Sequence, residues 1–132
     1  MRYIKSFLLL AGLTALFSFI KPTNTFQEWR FIGDKIANFG VDRDVLMVTG
    51  NDAFRQIKIR VTSAPLRIID MDVYFENGDK MNVPLKNTFR QGGESRVIDL
   101  DGGVRQIKKI TFLYETIGKR KGKARVAVWG KK

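Results

Sequence analysis

Apolar and polar residues alternate along most of the chain, which is the pattern of β-strands that have one buried face. In Ile57–Val61 every second residue is aliphatic, and the two residues between are basic. The alternation recurs over Asp70–Phe75 and again over Met81–Leu85. Asn77-Gly78 lies between these two segments, and this dipeptide is the strongest short signal for a hairpin with a type I′ turn. The sequence therefore predicts two antiparallel strands joined by a tight turn, with positive φ at both turn residues.

Shorter strand-like segments surround this hairpin. Val45–Val48 is apolar throughout, which predicts a strand that is buried on both faces or lies near the middle of a sheet. Pro84 predicts an edge position for its strand, because proline cannot donate a hydrogen bond to a neighbouring strand. The other predicted strands are Trp29–Phe31, ended by a turn at Gly33-Asp34; Lys35–Phe39; Arg96–Leu100 and Ile107–Tyr114, joined as a pair through Gly102-Gly103; and Ala124–Trp129 at the end of the chain.

The number and spacing of these segments indicate an all-β domain. After the first 20 residues the chain shows no helical periodicity of normal length. About seven to nine short strands separated by turn residues are typical of a β-sandwich or a barrel. We predict an antiparallel β-sandwich over residues 28–132, with a jelly roll as one form that it could take. Residues 21–27 are expected to be a short tether.

Residues 1–20 differ in kind from the rest of the chain. Arg2 and Lys5 precede an apolar run, Phe7–Ile20, which Lys21-Pro22 ends. A basic start followed by a short apolar core is typical of an export signal peptide, and the run is shorter than the roughly 20 residues that span a bilayer. No Ala-x-Ala cleavage site is present, so an uncleaved N-terminal anchor is an alternative, and a buried helix of the domain is a weaker one. We expect an exported protein, either periplasmic or secreted.

Cys and His are absent from the sequence, which limits the cross-links, catalytic groups and metal ligands that the chain can provide. Without Cys no disulfide can brace the domain, so its stability depends on core packing. Without His the chain lacks the usual general base and the usual zinc ligand. The sequence contains no recognisable catalytic, cofactor or metal motif. We therefore expect no cofactor, no metal site and no enzymatic activity.

Positive charge is concentrated at the C-terminal end of the chain. The whole sequence has 24 basic and 13 acidic residues, yet Arg105–Lys132 has ten basic residues against the single acidic Glu115. Lys119–Lys123 has four cations in five residues and is predicted to form a hairpin tip between the last two strands. Clustered cations raise the local positive potential and favour anionic partners, although an ordinary solvated turn is the alternative. The predicted anion-binding residues are Lys119, Arg120, Lys121, Lys123 and Arg125.

Three further groups of residues could carry chemistry, and each has a simpler structural explanation. Asp70 and Asp72 share one strand face, which suits a pair of hydrolytic carboxylates or, more simply, a solvated face. Asp99–Gly102 has the start of a Ca²⁺-binding loop but lacks the distal ligands, so we favour a β-turn. Trp129 shares a face with Arg125 and could stack on a sugar or a base. A tryptophan in a last strand more often covers the rim of a sandwich, which is the interpretation that we favour.

Three segments of the chain resemble a family of small exported bacterial proteins that is classed as a domain of unknown function. These segments are Asp72–Gly78, Gly93–Asp101 and Arg105–Phe112. The resemblance extends over roughly Lys58–Trp129 and rests on strand and turn patterns. It implies an exported β-rich domain, and it supplies no active residues.

These observations lead to three hypotheses about function. The first is a non-enzymatic exported binding module whose basic C-terminal hairpin contacts an anionic envelope surface or an acidic glycan. Export makes nucleic acid the least expected partner. The second is a structural or accessory envelope domain that binds protein partners, and its mark would be an exposed apolar patch. The third is a glycan hydrolase that uses pairs of Asp or Glu residues, which would require a cleft with convergent carboxylates.

Overall fold

The chain folds into two antiparallel β-sheets and no helix over the residues that the computed structural model describes, which are 28–38, 40–118 and 123–132. No helix long and apolar enough to cross a membrane is found in these ranges. The predicted all-β antiparallel sandwich is therefore confirmed. The strands are β1 (Arg30–Ile36), β2 (Val41–Met47), β3 (Ala53–Phe54), β4 (Gln56–Thr62), β5 (Leu66–Phe75), β6 (Lys80–Phe89), β7 (Ile98–Asp99), β8 (Arg105–Thr116) and β9 (Arg125–Lys131).

The two sheets enclose one hydrophobic core. The first sheet has the strand order β1-β9-β4-β7, and the second has the order β2-β8-β5-β6 with β3 paired to β8. Ile57, Ile59 and Val61 of β4 are fully buried in the same core cluster as Met71 and Val73 of β5. Burying each such side chain contributes about 1.5–3 kcal/mol, so the alternation in the sequence fixes which face of each strand points inward.

The hairpin between β5 and β6 is confirmed, but its turn is not of type I′. The Gly78 N–H donates to the Phe75 carbonyl (3.0 Å), and the Phe75 N–H donates to the Asp79 carbonyl (2.9 Å). Gly78 has φ of 95°, whereas Asn77 keeps a negative φ. This is a type I turn followed by a glycine bulge, the usual geometry of a three-residue hairpin loop. Asn77 uses its side-chain oxygen to accept the Asp79 N–H (3.1 Å), which stabilises the turn without a positive φ at Asn77.

The apolar run Val45–Val48 does not form a doubly buried strand. Most of it belongs to β2, which lies at the edge of the second sheet. Leu46 points into the core, while Val45 and Met47 are 38% and 58% exposed on the outer face. The prediction of a central or fully buried strand is wrong, because an apolar run does not distinguish a buried face from an exposed apolar one.

Gly33-Asp34 is not a turn, since both residues lie within β1. A Cβ at Gly33 would lie 3.1 Å from Leu46 Cδ1, so the glycine allows the first strand to approach β2 closely. The separate strand predicted over Lys35–Phe39 is also wrong, because β1 continues to Ile36. Phe39 itself lies outside the described residues.

Two predicted strand pairs are replaced by connections between the sheets. β7 is only Ile98–Asp99 and pairs with β4 in the first sheet, whereas β8 belongs to the second sheet. The Gly102-Gly103 segment therefore crosses from one sheet to the other and is not a hairpin turn. β9 pairs with β1 and β4, so β8 and β9 do not form the predicted C-terminal hairpin either. Such crossings are the rule in sandwiches with Greek-key connections. The edge position predicted from Pro84 is confirmed, since β6 ends the second sheet.

Candidate functional site

The outer face of the first sheet combines aromatic and basic side chains. Val128 and Gly130 of β9 are buried, so Trp129 between them points away from the core. The strand register places Phe31 of β1 and Lys58 of β4 on either side of Trp129. The rings of Phe31 and Trp129 have their centroids 5.3 Å apart at an interplanar angle of 67°, an edge-to-face contact. Trp129 thus lies on the outer face and does not cover the rim of the sandwich.

Trp29 extends this aromatic group beyond the start of β1. The Lys58 Nζ lies 4.5 Å from the centroid of the Trp29 ring, and the Lys131 Nζ lies 5.6 Å from it. Both distances are within the range of a cation–π contact. Lys58 also pairs with Glu94, with 3.3 Å between Nζ and Oε1. The two ammonium groups are therefore held in place above an aromatic ring at one end of the face.

Two arginines lie further along the same face. Arg60 is the next outward residue after Lys58 on β4 and is exposed. Arg125 stands at the start of β9, and its Nη1 is 2.6 Å from Asp34 Oδ2. Arg125 was predicted to bind anions, but much of its charge is already balanced by Asp34. We call the surface formed by Trp29, Phe31, Lys58, Arg60, Trp129 and Lys131 the platform.

The other predicted anion-binding residues lie close to the platform in sequence. Lys119, Arg120 and Lys121 are outside the described residues, and Lys123 is exposed just before β9. The basic segment therefore leads directly into the strand that carries Trp129. From Arg125 to the end of β9 the face extends over roughly 20 Å at the usual rise per residue of a strand.

Asp70 and Asp72 do share one face, as predicted, but they are tied together by hydrogen bonds. The Asn82 Nδ2 donates to Asp70 Oδ1 (2.9 Å), Asp70 Oδ2 (3.0 Å) and Asp72 Oδ1 (2.8 Å). Thr111 stands opposite Asp72 in the register, and its buried hydroxyl oxygen has no hydrogen-bond partner among the described residues. Asp72 is only 9% exposed, and both carboxylates accept hydrogen bonds from the same Asn82 side chain, an arrangement that gives the hydrolase hypothesis no support.

A shallow cleft lies elsewhere on the described part of the chain, and Arg105 forms part of its wall. It has a volume of about 360 Å³, and its wall includes Phe75 and Arg105. The guanidinium lies 3.9 Å from the centroid of the Phe75 ring and donates to the Asp101 carbonyl (2.7 Å) and to Asn77 Oδ1 (3.0 Å). A further bond from Arg105 Nη2 reaches Asp79 Oδ2 (3.2 Å). Arg105 therefore joins two turns, and its donors are used within the fold.

The segment Asp99–Gly102, considered above as the start of a calcium loop, connects the two sheets. Asp99 Oδ1 accepts a hydrogen bond from Gln56 Nε2 (2.8 Å), and Gly102 and Gly103 both have φ of 87°. Over residues 28–38, 40–118 and 123–132 no three acidic side chains come close enough to hold a metal ion.

The edge strand β2 has its own polar pattern. The Arg43 N–H donates to Asp42 Oδ1 (2.8 Å), and the Val45 N–H donates to Asp44 Oδ1 (3.0 Å). The side-chain amide of Asn38 and then the Arg43 N–H hold the pKa of Asp42 below its ordinary value. Carboxylates that bond the backbone N–H groups of an edge strand hinder the addition of another strand.

Sequence reasoning singled out Trp129 of the platform, with Lys123 and Arg125 beside it, and did not single out the other five platform residues. The alternation in β4 places Lys58 and Arg60 on its outer face, a signal that was present in the sequence. Nothing in the sequence shows that Phe31 pairs with Trp129, because the two residues are brought together by strand pairing over a long separation.

Comparison with known proteins identifies a family and no characterised relative. No curated protein and no solved structure matches the chain. A family model described as "Domain of unknown function (DUF2541)" matches residues 7–130, which is nearly the whole chain. The resemblance inferred from the sequence is therefore confirmed at the level of a family of unknown function. The chain belongs to this family, DUF2541.

Proposed function

We propose that the protein is an exported, non-enzymatic binding module that contacts an anionic polymer through its platform and the adjoining basic segment. The observation that carries this proposal is the position of exposed aromatic rings and cations together on the outer face of the first sheet. Phe31 is 53% exposed there beside Trp129, and Lys58 lies on the other side of Trp129. None of these side chains is needed to fill the core, which lies on the other face of the sheet.

The distribution of charge supports the same surface. Arg105–Lys132 has ten basic residues and one acidic residue, and β9 brings the end of this segment onto the platform. Four cations within Lys119–Lys123 precede β9 directly. Each cation near an anionic bilayer contributes about 1 kcal/mol, and such attraction weakens as salt shortens the Debye length, which is about 10 Å at 0.1 M.

Export determines which anionic polymers the module would meet. The basic start and the apolar run Phe7–Ile20 are typical of an export signal. Outside the cytoplasm, acidic glycans of the envelope are the expected polyanions. This favours a glycan over nucleic acid as the partner.

Charge reversal in the basic segment tests the proposal. The full chain is expected to be retained on immobilised heparin at low salt and to elute as the salt concentration rises. The variant Lys119→Glu, Arg120→Glu, Lys121→Glu is expected to lose that retention while its thermal midpoint stays unchanged, because the sequence predicts an exposed turn there and substitutions at exposed sites usually change stability by less than about 0.5 kcal/mol.

A matched control separates a local effect from a change in net charge. Arg43, Lys80 and Lys108 are exposed on the second sheet, and their replacement by Glu changes the net charge by the same amount. This control variant is expected to stay bound. Equal loss of retention in both variants would contradict the proposal, since it would mean that only the total charge matters.

A second candidate function rests on a different surface. Val41, Val45 and Met47 are 67%, 38% and 58% exposed on the outer face of β2. Arg43 separates Val41 from Val45 on this face, so the contiguous apolar stripe is Val45 and Met47. Exposed apolar patches mark contact sites for proteins, so this stripe favours the hypothesis of an accessory domain that binds a protein partner. Binding through the stripe would persist at high salt, whereas binding through the platform would not.

A further inference from the structure

We infer that the platform recognises the sugar rings of an acidic polysaccharide, with Phe31 and Trp129 contacting ring faces and the neighbouring cations pairing with carboxylate, sulfate or phosphate substituents. This inference rests on the proposed function and names the class of polymer. It assigns stacking on sugar rings to the aromatic side chains of the platform and pairing with acidic groups to its cations.

The aromatic pair is accessible to a ligand. Phe31 is more than half exposed, and Trp129 is partly exposed beside it in edge-to-face contact. An aromatic ring has a negative face, which attracts the weakly positive C–H groups that cover one side of a pyranose ring. Because the two ring planes are inclined at 67°, the pair can contact one sugar through a ring face and a neighbouring sugar through a ring edge.

Cations lie close to the aromatic pair. Lys58 and Lys131 lie over Trp29, so the Trp29 ring positions their ammonium groups and is not itself free for stacking on both faces. Arg60 lies two residues from Lys58 on the same face of β4, roughly 6.6 Å away along the strand. Arg60, Lys131 and Lys58, the last of which also pairs with Glu94, therefore lie on the Trp129 side of the aromatic pair, where they can meet the acidic groups of a bound polysaccharide.

Other anionic partners fit this surface less well. Inorganic polyphosphate and simple phospholipid headgroups carry charge but no sugar ring faces, so they would make no use of Phe31 and Trp129. Single-stranded nucleic acid has both charge and ring faces and is therefore an outcome that the experiment must distinguish.

The chain provides its own optical probe for the experiment. Its two tryptophans, Trp29 and Trp129, both belong to the platform. Intrinsic fluorescence of the purified full chain therefore reports occupancy of this face during titration with a heparin oligosaccharide, with inorganic polyphosphate or with single-stranded DNA.

Substitution of the aromatic residues separates stacking from charge. Trp129→Ala and Phe31→Ala are each expected to weaken binding of the heparin oligosaccharide about tenfold at fixed salt, which is a typical effect of removing one stacking ring. Binding of polyphosphate is expected to change by less than about twofold, since the cations remain. Trp129→Tyr is expected to restore most of the oligosaccharide affinity, and Met47→Ala on the second sheet is expected to leave it unchanged.

The following results would overturn the inference or the proposed function. If the aromatic variants weaken both probes equally, or weaken neither, the stacking role is overturned while the proposed function survives. If single-stranded DNA binds more tightly than the oligosaccharide and loses affinity in the same variants, the assignment to a polysaccharide is overturned. If the wild-type chain binds none of the polyanions, the proposed function fails and this inference fails with it. Thermal midpoints of Phe31→Ala and Trp129→Ala verify that the domain is folded in each measurement.

Discussion

Replacing Gly130 by valine is expected to lower the free energy of unfolding by about 3 kcal/mol, the upper end of the range for overpacked cores. Gly130 is buried in β9, where a Cβ would lie 2.5 Å from Phe54 Cδ1 and 2.7 Å from Ile32 Cδ1. Those contacts are too short, so both neighbours would have to move. The movement would also disturb the strand that carries Trp129.

Urea denaturation of Gly130→Val measures this loss, and the variant Phe54→Ala provides the control. Removing the Phe54 ring opens the space that the new side chain needs. The double variant is therefore expected to lose less stability than the sum of the two single variants, by more than about 1 kcal/mol. Simple additivity would show that the packing of β9 against Phe54 is described incorrectly.

Replacing Tyr114 by phenylalanine is expected to cost about 2–3 kcal/mol of stability at neutral pH, because a bond to a charged group is lost and a backbone donor loses its acceptor. Tyr114 is 1% exposed. Its hydroxyl donates to Asp44 Oδ2 (3.2 Å) and accepts the Asn38 N–H (2.9 Å). Tyr74→Phe is the matched control, since Tyr74 lies partly exposed on the outer face of β5. That control is expected to stay within about 0.5 kcal/mol of the wild type.

The contribution of Tyr114 also depends on pH. Burial first, and then the negative charges of Asp44 and Asp42, raise the pKa of Tyr114 above its ordinary value of 10.0, while the hydrogen bond from the Asn38 N–H opposes the shift. A group whose pKa is raised in the folded state binds more protons there than in the unfolded state, so stability falls as pH rises above the unfolded value. The difference in the free energy of unfolding between wild type and Tyr114→Phe is therefore expected to be largest at pH values below 10.0 and to shrink above that pH. A difference that stays constant up to strongly alkaline pH would contradict this account.

The local pattern of the sequence predicted strands better than it predicted their pairing. The alternation in Ile57–Val61 and Asp70–Phe75 identified β4 and β5, because a half-buried strand must alternate. The prediction that Val45–Val48 is a buried or central strand was wrong for a physical reason, because an edge strand can expose apolar residues on its outer face. Crossings between the sheets were not predictable, because the pairing of β7 with β4 depends on contacts that are distant in sequence.

The candidate site was predictable only where its residues share a strand. Trp129 and Arg125 were placed on one face correctly, because period-two alternation within β9 decides it. The position of Trp129 between Phe31 and Lys58 depends on the antiparallel register of three strands. The pairing of Arg125 with Asp34 was missed for the same reason, and it reduces the role of Arg125 as an anion ligand.

The most direct test of the central claim is to map the binding surface of the full chain by NMR during titration with a heparin oligosaccharide. We expect chemical-shift changes in β1, β4 and β9, concentrated at Phe31, Lys58 and Trp129 and reduced by added salt. Changes confined to the outer face of the second sheet, around Val45 and Asp70, would contradict the claim, and so would the absence of any change at low salt.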